Sequence, residues 1–180
     1  PSSFISLGCF ALIGITSLFN IIFRIKVMPL IGKSLAPIGC TFSLITLVTG
    51  SLWGKPTWGT WWVWDARLSS MLLLFIFYIA YILTWKYIKN FNKANKLSSI
   101  ISLLGLINIV IIKYSVDWWN TLHQPSSITL TSAPTIHHTM LVPLIIMFLG
   151  MVFFSFIIFL MKYKLEVLRF KLNKKDQTNN

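Results

Sequence analysis

The 180-residue sequence predicts an all-α membrane protein with five transmembrane helices. Of its residues, 56% are apolar and only 11% are charged, which is too few charges to cover a water-soluble domain of this size. The charges also lie in short runs between uncharged stretches of about 17 to 25 residues, the length that crosses a bilayer core. These observations exclude a water-soluble enzyme, and residues 1–180 are expected to form a single polytopic membrane domain.

Five uncharged stretches are long enough to form the predicted helices. They run from Phe4 to Phe23, Ser34 to Leu52, Leu68 to Trp85, Leu97 to Val116 and Thr139 to Met161. Lys113 is the only charged residue within them, and it lies near an end, where its long side chain reaches the interface. Asn20 and Asn108 are polar residues inside spans, and we expect each to form a hydrogen bond between helices.

The distribution of basic residues predicts the orientation of the chain. There are 16 Lys and Arg against 4 Asp and Glu, a formal net charge of +12. Most of the cations lie in the first connection (Arg24, Lys26, Lys33), the third connection (Lys86, Lys89, Lys93, Lys96) and the tail, 162–180. Such segments face the cytoplasm or matrix, so the C-terminus is expected inside and the N-terminus, 53–67 and 117–138 outside. The basic tail is expected to act as an orientation signal that favours a lipid surface, rather than as a site for nucleic acid or a partner.

Segment 53–67 is the strongest candidate for a binding site because it is rich in tryptophan. It contains Trp53, Trp58, Trp61, Trp62 and Trp64. An interfacial aromatic belt accounts for one or two of these, but not for five beside Gly54, Pro56 and Gly59, which are expected to turn the chain. From Trp58 onward, positions 58, 61, 62 and 65 follow the rhythm of one helical face. This predicts a short interfacial helix with a flat shelf of indoles that stacks on a planar apolar ligand.

Three charged residues accompany the tryptophans. Lys55 and Arg67 flank the predicted shelf and are suited to pair with anionic groups of a ligand, Arg67 in bidentate fashion. Asp65 is expected to hold Arg67 or a backbone N–H in place. The alternative is a local ion pair of Asp65 and Arg67 that caps the third span.

The fourth connection, 117–138, supplies a complementary group on the same side of the membrane. Trp118 and Trp119 are followed by His123 in the stretch WWNTLHQPSS. Haem is a planar apolar ligand with carboxylates and an iron that commonly takes an axial histidine, so His123 is the candidate ligand. A solvated loop histidine is the alternative. His137 and His138 are weaker candidates because they have no aromatic neighbours in sequence.

Two longer motifs carry a resemblance to a known family. WGKPTWGTWWVWDARLSS at 53–70, followed by VDWWNTLHQ at 116–124, resembles the tryptophan-rich WWD haem-handling proteins of cytochrome c maturation, in the CcmC form. The related larger haem lyase subunits usually read WDPKE where this chain reads WDARL. The resemblance covers nearly the whole sequence. It implies that loop 53–67 binds haem on the outward face of the inner membrane, with His123 as one of two axial ligands.

The resemblance also implies an N-terminally incomplete chain. The family usually has six spans rather than five, and its second ligand histidine belongs to an HVP stretch just before a span. PSSFISLG at Pro1 resembles the continuation of that stretch. The second axial histidine is therefore expected about two residues upstream of Pro1.

The implied function is haem delivery. Haem b would be held transiently and non-covalently and passed to the haem chaperone CcmE, with CcmA, CcmB and CcmD as partner subunits. The membrane would be a mitochondrial inner membrane or a bacterial cytoplasmic membrane.

The sequence has no GxxxxGK[ST] phosphate loop and no Ser/His/Asp or Cys/His constellation, so no enzymatic activity is expected. The alternative is a cofactor-free, permease-like subunit of an ABC-type transporter, against which the nearly uncharged spans argue. An embedded electron carrier would need axial ligands at depth within the helices.

Overall fold

The computed structural model describes residues 1–25, 27–118 and 137–179, with side chains over 1–25, 27–115 and 137–172. These residues form five helices and no strand. The helices are α1 (Ser2–Phe23), α2 (Met28–Trp58), α3 (Ala66–Tyr87), α4 (Phe91–Trp118) and α5 (His138–Asn179). Each contains a stretch long and apolar enough to cross a membrane. The prediction of an all-α chain with five spans is confirmed.

Several helices extend beyond the apolar stretches that predicted them. Helix α2 begins at Met28, so Lys33 lies inside a helix and not in the first connection. Helix α4 begins at Phe91, which places Lys93 and Lys96 in its first turns rather than in the third connection. A helix does not need to end where the hydrocarbon ends, because a lysine stem covers apolar surface while its ammonium group stays in water. The predicted tail continues α5 as far as Asn179.

Four of the helices form the packed body of the protein. Helices α1 and α3 each contact both α2 and α4, whereas α5 contacts mainly α2. Phe10, Ile13, Leu74, Tyr78 and Tyr81 are the largest apolar side chains buried completely or almost completely. Gly14, Gly39 and Gly105 each lie where a Cβ atom would overlap a side chain of another helix, so these small residues let the helices pack closely.

Interhelical hydrogen bonds join these helices. Asn20 Nδ2 on α1 donates to Asn95 Oδ1 on α4 at 3.0 Å. Asn108 Nδ2 on α4 donates to the carbonyl oxygen of Ser70 on α3 at 2.8 Å. Both asparagines therefore have the predicted role, and the bond from Asn108 fixes α4 against the first turns of α3.

The bundle has two chemically different ends, because successive helices run in opposite directions. The tryptophan end, as we call it, holds connection 59–65, the C-terminal end of α4 and the start of α5. The basic end holds connections 24–27 and 88–90 and the part of α5 after Met161. An ion pair between Lys33 Nζ and Glu166 Oε2, 2.6 Å long, joins α2 and α5 there. By the positive-inside rule, the basic end is expected to face the cytoplasm or matrix.

Candidate functional site

The tryptophan segment is divided between a helix end and an irregular connection. Helix α2 continues through Gly54 and Pro56, which were expected to turn the chain, and ends at Trp58. It stops because Gly59 adopts a left-handed conformation, with φ 75°, and its N–H donates to the carbonyl oxygen of Lys55, as glycines do at helix C-termini. Residues 59–65 are not helical. The predicted interfacial helix starting at Trp58 is therefore wrong.

The indole rings form two edge-to-face pairs rather than a flat shelf. The rings of Trp53 and Trp58 have centroids 5.3 Å apart and planes at 84°. The rings of Trp62 and Trp64 have centroids 5.6 Å apart and planes at 73°. Edge-to-face contact is favoured because the positive edge of one ring meets the negative face of the other. The predicted flat shelf is wrong. We refer to Trp53, Trp58, Trp61, Trp62 and Trp64 together as the tryptophan cluster.

The five tryptophans differ in how much of each ring a ligand can reach. Trp53, Trp61 and Trp64 are 58%, 55% and 77% exposed. Trp58 and Trp62 are half-buried, and Trp62 packs against the hydrophobic core of the bundle. Three indoles are thus available at the surface, while Trp62 attaches the segment to the body of the protein.

Gly54 allows the connection to fold back against α2. A Cβ atom at this position would lie 3.3 Å from Cε3 of Trp58 and 3.4 Å from the carbonyl oxygen of Thr60. Thr60 in turn donates from Oγ1 to the carbonyl oxygen of Trp62 at 3.1 Å. The missing side chain at Gly54 therefore gives the tryptophan connection its compact path.

Lys55 is exposed and lies beside Trp61. Its Nζ atom donates to the carbonyl oxygen of Gly59 at 3.2 Å and lies 5.8 Å from the centroid of the Trp61 ring. A cation over an indole face is attracted by the ring quadrupole. The ammonium group is thus held beside an exposed tryptophan.

Asp65 caps helix α3. Its Oδ1 atom accepts a hydrogen bond from the backbone N–H of Leu68 at 2.7 Å, and its backbone is extended, with φ −100° and ψ 167°. This is the geometry of an N-cap residue, so the expected bond to a backbone N–H is confirmed. Arg67 follows in the first turn of α3 and is half-buried.

Trp62 has a property that the sequence did not predict. Its Nε1 atom is buried and has no hydrogen-bond acceptor among the residues that the structure describes. A buried donor without an acceptor is costly, so an acceptor supplied by a ligand would be favourable there. Nothing in the spacing of the tryptophans distinguishes Trp62 from its neighbours, because its burial depends on the helices that meet beneath it.

Connection 117–138, which carries the second half of the predicted site, joins the end of α4 to the start of α5, and both of these helix ends lie at the tryptophan end of the bundle. Helix α4 ends at Trp118, whose side chain is not among those described. Trp119 and His123 lie outside the described residues, so their contact with the tryptophan cluster stays a prediction. The exposed rings of His137 and His138 are described, with centroids 5.8 Å apart, and His137 Nδ1 lies 2.9 Å from Thr139 Oγ1.

Comparison with known proteins gives a consistent result. Residues 1–178 match the family model described as CcmC, heme exporter protein C. A putative cytochrome c biosynthesis ccmC-like mitochondrial protein of Marchantia polymorpha is 41% identical over 177 residues, covering 98% of this chain and 75% of the relative. The heme exporter protein C of Haemophilus influenzae is 38% identical over 169 residues, which cover 94% of this chain and 69% of the relative. The heme exporter protein C of Bradyrhizobium diazoefficiens is 37% identical over 169 residues, which cover 94% of this chain and 64% of the relative.

Proposed function

The chain belongs to the heme exporter protein C family, CcmC, and from this membership we propose that it binds haem at the outward face of the membrane and delivers it for c-type cytochrome maturation. It is a multi-pass inner-membrane protein. The recipient that we propose is the haem chaperone CcmE. CcmA, CcmB and CcmD are the proposed partner subunits.

The observation that carries the proposal is the tryptophan cluster at one end of the bundle. Haem presents a large apolar plane and two carboxylates, so its site needs aromatic surface and donors. Trp53, Trp61 and Trp64 supply exposed indole surface, and Lys55 holds an ammonium group beside Trp61. The buried N–H of Trp62 is a further donor without a described acceptor. The exposed indole surface and the nearby donors support haem as the ligand in this proposal.

The remaining polar residues have separate roles in this proposal. Arg67, on the first turn of α3, pairs with a haem propionate, because a guanidinium group binds a carboxylate with two parallel hydrogen bonds. Asp65 acts on the protein itself, since it caps α3 and so determines where the connection meets the helix. Asn108 supports the same helix turns through Ser70.

His123 is the proposed axial ligand from the fourth connection, and Trp118 and Trp119 are the proposed aromatic neighbours. When bound, the haem iron accepts an imidazole nitrogen, which fixes the position of the porphyrin. The site would be open at the exposed tryptophans. An open edge suits a transient cargo, haem b, that forms no covalent attachment to this chain and leaves for a second protein once its coordination bond to His123 dissociates.

The proposal is tested by replacing His123 in a full-length protein that is purified from haem-replete cells. His123→Ala should lower haem occupancy and change the visible absorption spectrum, and transfer of haem to purified CcmE should fall with it. His138→Ala is the matched control, because His138 is exposed at the same end of the bundle. An unchanged spectrum in His123→Ala would remove this residue as a ligand. A colourless parent protein that takes up no haem would instead support the permease-like alternative.

A further inference from the structure

We propose that the segment of α5 from Met161 to Leu172 is a docking surface for an acidic amphipathic helix of a partner protein at the basic end of the bundle. The segment belongs to one continuous helix, His138–Asn179. It lies at the opposite end of the protein from the tryptophan cluster, so this proposal does not depend on haem binding.

One face of this segment is already packed against the bundle. Phe170 lies with its ring centroid 5.3 Å from that of Phe91, at the start of α4. The side chain of Glu166 is only 13% exposed and pairs with Lys33 of α2 at 2.6 Å. Tyr163 is half-buried on the same face. These contacts on two other helices determine which way the segment faces.

The opposite face carries an unpartnered apolar stripe. Met161, Leu165, Leu168 and Leu172 are 67%, 50%, 50% and 61% exposed. They follow one another at intervals of four, three and four residues, which is the a and d spacing of a heptad repeat. Side chains with this spacing lie along one side of a helix and pack against a second helix.

Cations occupy every flanking position of the stripe. Met161 and Leu168 take the d positions, and Leu165 and Leu172 take the a positions. Lys162 and Arg169 then lie at e, Lys164 and Lys171 lie at g, and all four are exposed. Residues at the e and g positions of a coiled coil form salt bridges between the helices and so determine which partner binds. A second copy of this chain would oppose cations with cations in either orientation, which is unfavourable. The complementary partner is a helix with apolar a and d positions and acidic flanks.

The length of α5 favours a protein partner over the lipid surface. The part of α5 from His138 to Leu172 is 35 residues long, which is about 52 Å of helix against a bilayer core of about 30 Å. The contacts of Glu166 and Phe170 hold the end of the helix in line with the bundle. The segment therefore continues away from the membrane instead of lying along it.

The test uses the chain in phosphatidylcholine nanodiscs and a fluorescent 21-residue helical peptide with Leu at a and d and Glu at e and g. Fluorescence anisotropy should report binding that weakens with added salt. Lys164→Glu with Lys171→Glu should weaken binding by about tenfold, since two attractive pairs become repulsive. The same variant should bind a Lys-flanked version of the peptide better than the parent chain does.

Two controls separate this surface from general charge attraction. Lys86→Glu with Lys89→Glu makes the same charge change at the same end of the bundle but off the stripe, and should leave peptide binding unchanged. Leu165→Ser with Leu168→Ser removes exposed apolar side chains, so the fold should persist by circular dichroism while binding is lost.

Three results would overturn the proposal. One is equal binding of the acidic and basic peptides, and another is unchanged binding after the leucine replacements. The third comes from hydrogen exchange in nanodiscs that contain phosphatidylglycerol. Protection of 161–172 by that lipid alone, with no binding of the acidic peptide, would identify the membrane surface as the occupant.

Discussion

Replacing Asp65 tests whether this residue stabilises α3 through its hydrogen bond at the helix N-terminus or through its negative charge there. Its Oδ1 atom accepts the N–H of Leu68 at 2.7 Å, and this contact begins α3 next to the tryptophan connection. Asp65→Ala removes both the acceptor and the negative charge near the helix N-terminus. Asp65→Asn keeps an acceptor oxygen and removes only the charge.

The expected magnitudes follow from these two contributions. Loss of an N-cap acceptor costs about 1 kcal/mol of stability, and loss of a negative charge at a helix N-terminus costs about 0.5 kcal/mol. Asp65→Ala should therefore destabilise the protein by about 1.5 kcal/mol, and Asp65→Asn by about 0.5 kcal/mol. Haem occupancy should follow the same order, because fraying of α3 releases the end of connection 59–65.

Reversible unfolding in mixed detergent micelles, followed by circular dichroism, measures these differences. Haem occupancy is read from the visible spectrum of each variant after purification. Equal destabilisation by Asn and Ala would refute the capping argument and show that the carboxylate charge is what matters. Ser at position 65 is a further check, since serine also caps helices.

Three further predictions concern the site and the bundle beneath it. Trp62→Phe keeps an aromatic ring but removes the buried N–H, so haem affinity should fall by about tenfold, the effect of one hydrogen bond to a charged acceptor. Gly39→Ala adds a Cβ that overlaps the hydroxyl of Tyr78 and should destabilise the protein by about 2 kcal/mol, whereas Gly50→Ala, with open space around it, should not. Asn108→Leu removes the hydrogen bond to α3 and should cost about 1 kcal/mol in the same unfolding assay.

Each of these predictions has an outcome that contradicts it. For the indole N–H, the matched variant is Trp64→Phe, because Trp64 is highly exposed. An equal loss of affinity in the two variants would mean that ring size matters and the buried donor does not. For the helix contacts, parent-like unfolding of Gly39→Ala or Asn108→Leu would show that α2, α3 and α4 are less closely packed than the described side chains indicate.

The sequence by itself determined the membrane architecture of this protein. Apolar stretches and charged connections are local properties of the chain, so the five spans could be read without any tertiary information. The interhelical roles of Asn20 and Asn108 followed in the same way, since a polar amide inside a span needs a partner on another helix. The capping role of Asp65 was one of the predicted possibilities because aspartate before a helix is a local signal.

Only the tertiary structure decided how the tryptophans are arranged. Their spacing predicted one helical face, but Gly59 takes a left-handed conformation and ends α2 at Trp58. Gly54 then lets the connection fold against the helix, and the packed bundle buries the N–H of Trp62. The direction in which a ring faces depends on backbone turns and on neighbours that are distant in sequence, so the number of indoles was readable from the chain while their geometry was not.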